Sequence, residues 1–342
     1  MSQIYKNFIK YFLVILIIFS NHSFGKEFEE LFTIYVPIEN SSKIESSINK
    51  SFNNLVFRIS GSKSPSNIWK IINSGSSRKD FIQSYSIKNI NMSSYLEVNF
   101  DQELVINKFK ELSIPIVGYS RPVIFFLINI ESGSDKPYYV SQESNNEIDS
   151  LIIETLAELS NERGLFLELP VLDLDDQRYI SNTDILSSAK EHLISKYDFD
   201  EFVDVKLTNL GLNQWLFSGD IKEDILTENY LEDIKKAFTD HIESKIQSIY
   251  KNLIVDTSKT LLLDVTIEGI NSYEEYEISK DKLSKIIAIS NLEILNLNNN
   301  TISYQISVTG NFDTFKNTIE NNTFFEIMAE NSNKSLNLRF VK

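Results

Sequence analysis

The sequence predicts an α+β protein built from three small α/β modules. Three observations favour this class. Segments with alternating apolar residues are interspersed with segments of helical periodicity, the pattern restarts twice, and the segments around Phe100-Asp101 and Phe312-Asp313 resemble each other. The predicted ranges are 26–130 for the first module, 148–256 for the middle module and 257–342 for the third module. A polar stretch at 131–147 is predicted to be a linker.

The first module is predicted to follow the βαββαβ order of ferredoxin-like domains. The strand LFTIYVPI precedes a helix whose apolar face carries Ile44, Ile48, Phe52, Leu55, Val56 and Ile59. An insertion with one helical turn around Trp69 follows, and then come two paired strands and a second helix, which Asp101 is placed to cap. The unbroken apolar run in RPVIFFLINI predicts a closing strand that is buried on both faces.

The middle module is predicted to have the order αβαββα. A helix that ends at Gly164 precedes the strand LFLELPVL, and a second helix runs from about Asp184 to Tyr197. A hairpin turns around Gly211, and a long helix covers about 230–252. The third module returns to the βαββαβ order, with a hairpin at the sequence NNN, and is predicted to be ferredoxin-like like the first.

The first 25 residues have the three-part pattern of a secretory signal peptide. Two lysines precede an uncharged apolar core, Tyr11 to Phe19, and small residues at 23 and 25 precede a cleavage site before Lys26. A membrane anchor is the alternative, but a nine-residue helix rises only about 14 Å against a hydrocarbon core of about 30 Å. We therefore expect an exported, periplasmic chain without a transmembrane segment after cleavage.

Composition excludes several kinds of chemistry. The chain has no cysteine, so disulfides, thiol nucleophiles and cysteine-type zinc sites are excluded. Its net charge of −15 disfavours nucleic acid as a partner. No phosphate-binding glycine loop, no G-x-S-x-G motif and no H-E-x-x-H motif occurs. His192 and His241 lack such partners, and we expect both on helix surfaces. The sequence thus offers no catalytic residue and no cofactor.

The segment LELPVLDLDDQRYIS contains three aspartates, Asp173, Asp175 and Asp176, directly after an apolar run. Carboxylates two residues apart can converge on Mg²⁺ or Mn²⁺, but an EF-hand loop would need glycine where Arg178 stands. The structural alternative is a turn in which Asp173 accepts backbone amides while Asp175 and Asp176 face solvent or a partner. Arg178 is placed to neutralise them. A catalytic metal site, a ligand or partner contact and a structural turn all stay open here.

Four segments together resemble an uncharacterised bacterial envelope family, domain of unknown function two thousand and sixty-six. They are LVFRISG (55–61), IPIVGYSRPVIFFLI (114–128), LPVLDLDDQRYIS followed by TDI, and YDFDEFVDVKL with NQWLFSGDI. The resemblance implies an exported protein of Gram-negative bacteria with a periplasmic home. It implies no activity and supplies no catalytic residues.

Two hypotheses on function follow. In the first, the chain is a non-enzymatic binding or assembly module of the cell envelope with an envelope protein as its partner, for which the candidate binding residues are Arg121, Asp173, Asp175, Asp176 and Arg178. In the second, it is a metal-dependent hydrolase or transferase that uses the three aspartates. The second hypothesis requires a cleft where these carboxylates meet further acids or a histidine.

Overall fold

The computed structural model describes residues 26–38, 44–90, 93–133, 136–182, 186–211, 214–225, 229–298, 300–320, 322, 324–331 and 335–341. It confirms the mixed α+β class, because the strands in these ranges form four sheets separated along the chain by helices. The predicted signal peptide at 1–25 lies outside the described residues.

The first sheet has three antiparallel strands with helices on one face. The elements of this region are β1 (Lys26–Glu27), β2 (Thr33–Pro37), α1 (Ile44–Ser60), α2 (Pro65–Asn73), β3 (Ile82–Ile90), β4 (Ser93–Phe100) and α3 (Gln102–Glu111). Strand β4 lies between β2 and β3. The apolar face of α1 packs against Leu96 and Val98 of β4, as predicted. Asp101 caps α3 by accepting the amide of Leu104 at 2.9 Å, also as predicted.

Helix α2 is longer than the single turn expected around Trp69. It begins at Pro65, whose fixed φ suits the first helical position, and the Ser64 hydroxyl caps it by accepting the amide of Ser66. The nine residues of α2 bury Ile68 and Ile71 in the core of the first sheet, while Trp69 itself is exposed.

The strand predicted to close the first module pairs in the middle sheet instead. Short strand β5 (Ser120–Arg121) pairs with β1, and β6 (Val123–Ser132) pairs in parallel with β9 (Glu201–Gly211). The boundary predicted at residue 130 therefore lies inside β6, and the first sheet differs from a ferredoxin-like βαββαβ sheet by lacking its fourth strand. The reason is burial, because residues 123–130 are all buried and the middle sheet provides packing against both faces of β6.

The middle sheet has β6 near its centre. Its remaining elements are β7 (Tyr138–Tyr139), α4 (Glu147–Arg163), β8 (Phe166–Glu168), α5 (Leu174–Asn182), α6 (Leu186–Ile194), β10 (Gln214–Gly219), β11 (Asp224–Ile225) and α7 (Tyr230–Leu253). The strand order is β11-β10-β9-β6-β7, and β8 also pairs with β6. One face of β6 packs in the same core as α4 and α7, and Leu127 on the other face clusters with Leu193 of α6. Burial of β6 on both faces is thus confirmed.

Two predictions for the middle region differ from the structure. The predicted linker at 131–147 contains β7, whose two tyrosines pair with residues 129 and 130 at the end of β6. The helix predicted from about Asp184 is shorter, and a separate helix, α5, begins immediately after Asp173. Helix α5 extends to Asn182, so the residues directly before the predicted start at Asp184 are helical up to that point.

The third sheet has five strands. Its elements are β12 (Thr260–Glu268), α8 (Tyr273–Ser284), β13 (Ile289–Asn298), β14 (Thr301–Thr309), α9 (Phe312–Glu320), β15 (Phe325–Asn331) and β16 (Ser335–Phe340). The order is β13-β14-β12-β16-β15, so β12, β14 and β13 repeat the order and antiparallel pairing of β2, β4 and β3. Strand β16 lies parallel to β12, between β12 and β15. The two regions therefore share the order βαββα once the inserted helix α2 of the first region is set aside, and they differ in the strands that follow.

Contacts between the three regions are direct. Ile116 bridges Val255 after α7, and Ile287 before β13 is buried in the core of the first sheet. Side chains near these contacts therefore hold the sheets together, and Arg121, a candidate residue from the sequence, is one of them.

Candidate functional site

The aspartates form the start of helix α5. The Asp173 carboxylate accepts the amides of Asp175 at 2.9 Å and Asp176 at 2.8 Å, and the Asp176 carboxylate accepts the Asp173 amide at 3.1 Å. This reciprocal arrangement satisfies donors that a helix start otherwise leaves unpaired. The prediction that Asp173 meets backbone amides is confirmed, although the amides belong to a helix start.

Asp176 is buried, so the prediction that it faces solvent is wrong. Its two oxygens accept hydrogen bonds from Lys196 Nζ at 2.8 and 2.7 Å, and Oδ1 lies 2.9 Å from His192 Nε2. The His192 ring stacks on Tyr179 with 4.4 Å between centroids. His192 is therefore a partner of the aspartate cluster as well as a helix residue. Burial of Asp176 is tolerated because each oxygen has a charged or polar partner.

Lys196 takes the position of a cation in this cluster. Its ammonium lies within 3.0 Å of both Asp176 oxygens and of Asp173 Oδ2. Hydrogen bonds from the Asp176 amide and Lys196 lower the pKa of Asp173 to about 2. Burial raises the pKa of Asp176, but bonds from Lys196 and His192 outweigh it and the pKa is lowered. The bonds to Asp176 and Asp173 in turn raise the pKa of Lys196.

The other two candidates in this segment lie at the surface. The side chain of Asp175 is 90 % exposed and lies 3.5 Å from Arg178, which is 75 % exposed. This matches the expectation that Arg178 neutralises Asp175 locally, whereas Asp176 is paired with Lys196 and His192 instead. Such an exposed pair contributes little to stability and stays accessible to a partner.

The carboxylates of Asp173 and Asp176 are therefore paired with Lys196 and His192, and their oxygens do not form an open coordination site. Within the described ranges, no group of three or more histidine, aspartate or glutamate side chains is arranged to hold a metal ion. A divalent cation at Asp173 and Asp176 would have to displace the ammonium of Lys196, which already supplies positive charge to three oxygens.

Arg121 lies at a buried junction, away from the aspartates. Its guanidinium donates to the carbonyls of Gly118 at 2.6 Å, Val117 at 3.0 Å and Arg58 at 3.2 Å, and to the Tyr250 hydroxyl at 3.0 Å. Because the side chain is fully buried, it cannot contact a partner directly. The predicted binding role of Arg121 is therefore replaced by a structural one.

Two further arginines are buried beside Arg121, and we call Arg58, Arg121, Arg163 and Tyr250 the arginine hub. Arg58 donates to the carbonyl of Thr33 at 2.8 Å and to Asn161 Oδ1 at 2.8 Å, and so links the first sheet to α4. Arg163 donates to the carbonyl of Gly61 at 2.9 Å. The Tyr250 hydroxyl donates to the carbonyl of Arg163 at 3.0 Å.

The hub concentrates three guanidinium groups, and Glu243, 3.7 Å from Arg163 Nε, balances part of this positive charge. Helices α1 and α4 both end here, and the carbonyls at their C-termini carry the partial negative charge that favours cations. The ring of Tyr250 adds a cation–π contact, with its centroid 5.4 Å from the Arg121 guanidinium. Burial and then the neighbouring Arg121 charge lower the pKa of Arg58 to about 9, which keeps this guanidinium charged at neutral pH.

Two glycines make the close packing of the hub possible. Gly61 has φ +70°, and a Cβ there would lie 2.7 Å from Val117 Cγ2 and 3.1 Å from the Tyr250 ring. Gly164 has φ +61°, and its Cβ would lie 2.7 Å from Arg58 Cδ. Both helix ends therefore require glycine for conformation and for space.

Sequence reasoning missed Lys196, His192, Arg58, Arg163 and Tyr250 as members of these two clusters. The spacing of Asp173 and Asp176, three residues apart and shortly after Pro170, is typical of the capping box at a helix start. An arginine in the middle of the apolar stretch LVFRIS was a signal of a buried charge. Neither signal identifies the distant partners.

None of the helices in the described part of the chain combines the length and the apolar character that a membrane crossing needs. Comparisons of the chain with family models, with curated proteins and with solved structures give no match. The resemblance to the envelope family therefore stays a prediction.

Proposed function

We propose that the chain is an exported periplasmic protein that acts without catalysis, as a binding or assembly module of the cell envelope. The observation that carries the proposal is the saturation of the acidic cluster by the chain's own Lys196, His192 and helix amides. An acidic site built for metal chemistry would leave carboxylate oxygens free to converge on the cation.

The periplasmic location rests on the signal-peptide pattern at 1–25 and on the resemblance of four segments to an exported family. We also propose that the first and third modules are variants of one βαββα unit, the part of the ferredoxin-like order that both retain. The shared strand order of β2-β4-β3 and β12-β14-β13 supports this relation. The acidic net charge of −15 supports a protein partner over nucleic acid.

Calorimetric titration of the exported protein with Mg²⁺, Mn²⁺ and Ca²⁺ tests the non-catalytic part of the proposal. We expect no micromolar binding, because Lys196 neutralises Asp173 and Asp176. Lys196→Met is the matched comparison, since it frees both carboxylates without adding a charge. Micromolar binding by the unmodified protein that disappears in the Asp173→Ala and Asp176→Ala double variant would favour the metal-dependent hydrolase or transferase.

Location and partner are tested separately. Mass measurement of the periplasmic product is expected to give a chain that begins at Lys26; an intact N-terminus in the membrane fraction contradicts the proposed export. Affinity capture from the envelope with a tagged mature chain is expected to recover a protein partner, and the Arg178→Glu variant tests whether the surface around Asp175 contributes to that contact.

A further inference from the structure

Edge strands β3 and β13 carry exposed apolar side chains in equivalent places of the first and third sheets. Each is the terminal strand of its sheet, and no other described strand pairs with its outer edge. Ile87 on β3 is 51 % exposed and Ile294 on β13 is 50 % exposed. Long edge strands with exposed apolar residues are the surfaces to which another strand can add.

The exposed residues lie on the face that the helices cover elsewhere. Ile87 is directly opposite Leu96 and Ile294 is directly opposite Tyr304, and both of those partners are fully buried. Cross-strand partners point to the same face of a sheet. The apolar core therefore continues onto both edge strands, where the helices no longer cover it.

A groove accompanies each edge. Beside β3 it is lined by Ile44 and Ile48 of α1, and beside β13 it is lined by Tyr273 and Tyr276 of α8. The first helix of each βαββα core thus lines a groove next to the edge strand. The same feature occurs in two regions with little sequence in common, which favours a shared use.

The two edges differ in charge. Lys88 is the only charged residue of β3, and Glu293 is the only charged residue of β13. In an antiparallel pair of β3 with β13, the register that places Lys88 opposite Glu293 also places Ile87 opposite Ile294. The ion pair then lies on the open face and the apolar pair lies on the helix-covered face.

We propose that β3 of one copy of this chain pairs with β13 of the next copy, joining the first sheet of one to the third sheet of the other. This inference rests on the proposed assembly function and names a second copy as the partner. Because the two edges are different surfaces, a pair leaves one β3 and one β13 free. Association then continues beyond the dimer unless the copies close into a ring.

Sedimentation of the exported protein over a range of concentrations measures the association. We expect the average mass to rise beyond that of a dimer. Ile87→Lys and Ile294→Lys each place a charge in the apolar part of the contact. Because every β3–β13 contact contains both positions, each variant is expected to be monomeric. Thermal unfolding of both variants checks that they stay folded, which is expected because both positions are half-exposed.

Charge reversal provides a sharper test. Lys88→Glu and Glu293→Lys each put like charges opposite one another and are expected to weaken self-association by about tenfold. A mixture of the two variants restores an opposite-charge pair at every contact and is expected to recover association. Lys259→Glu is the matched control, since Lys259 is also exposed and lies 3.5 Å from an acid, as Lys88 lies 3.4 Å from Glu97.

Three outcomes would overturn the head-to-tail contact. The protein stays monomeric at all concentrations, the association stops at a dimer without ring closure, or the mixture of the two charge variants fails to recover association. Capture of a different envelope protein that is lost in Ile87→Lys also overturns the contact, because that edge then serves another partner. If self-association is absent but envelope capture is retained in Ile87→Lys, this inference fails while the proposed binding function stands. If both are absent, both fail.

Discussion

Replacement of Tyr250 by phenylalanine tests whether the arginine hub holds the sheets together. The change removes one buried oxygen and leaves the ring, so that the packing against Gly61 and the cation–π contact with Arg121 are kept. The hydroxyl makes two bonds at 3.0 Å, one from Arg121 and one to the carbonyl of Arg163. Any loss of stability therefore reports these two bonds.

The expected loss follows from the groups left behind. A hydrogen bond from a charged group contributes about 1.5–3 kcal/mol, and a buried carbonyl left without its donor costs about 1–3 kcal/mol. Arg121 Nη1 keeps a bond to the carbonyl of Arg58 at 3.2 Å, which offsets part of the loss. We therefore expect Tyr250→Phe to lower the free energy of unfolding by about 3 kcal/mol.

Urea unfolding followed by tryptophan fluorescence measures this loss. In a Trp69→Phe background the signal comes from Trp215, which is buried in the middle sheet. Tyr273→Phe is the matched control, because it also removes one oxygen but from a side chain that is 76 % exposed. A loss below about 0.5 kcal/mol for Tyr250→Phe, or equal losses in both variants, would refute the role of the hub.

Three further predictions concern the aspartate cluster and the glycines. Asp176→Ala is expected to lower the free energy of unfolding by about 2 kcal/mol, Asp173→Ala by less, and Asp175→Ala by under about 0.5 kcal/mol, measured by urea unfolding; the reverse order contradicts the assigned bonds. The pKa of Asp173 is lowered to about 2 in the folded chain, against about 3.9 in the unfolded chain. The Asp173 carboxylate therefore contributes fully to the free energy of unfolding above about pH 3.9, and this contribution is lost as the pH falls towards 2. Asp173→Asn is expected to make the free energy of unfolding less dependent on pH in that range. Gly164→Ala is expected to destabilise more than Gly75→Ala in thermal unfolding, since both have positive φ but only the Cβ at 164 meets an arginine of the hub; equal shifts would show that backbone strain alone decides.

Local patterns predicted the elements of the fold well where one face is buried. The spacing of Ile48, Phe52 and Leu55 gave α1, and Asp101 gave the start of α3. The pairing of β6 could not be predicted in the same way, because a strand with two apolar faces fits any sheet that covers both. Which sheet does so depends on helices α4, α6 and α7, which lie later in the sequence.

The aspartate cluster was predictable only in part, for a related reason. The capping role of Asp173 is local, since the amides it accepts lie two and three residues further on. The burial of Asp176 depends on Lys196, twenty residues away, and nothing in the pattern of charges distinguishes that lysine from its neighbours. A carboxylate next to a helix start can therefore be assigned as a cap from sequence, while its charge partner needs the fold.

Two of the four segments that suggested a family resemblance meet in the structure at a junction. LVFRISG contributes Arg58 to the hub and Gly61 beside it, and IPIVGYSRPV contributes Arg121 to the hub and Val117 beside it. The structure limits which residue types fit at these positions. The buried guanidinium of Arg121 needs carbonyls at fixed positions, and the end of α1 needs a residue without a side chain at Gly61. A specific motif can therefore reflect how sheets are joined as readily as how a substrate is bound. For this chain, the search for a partner surface leads away from the motifs and towards the exposed edges of β3 and β13.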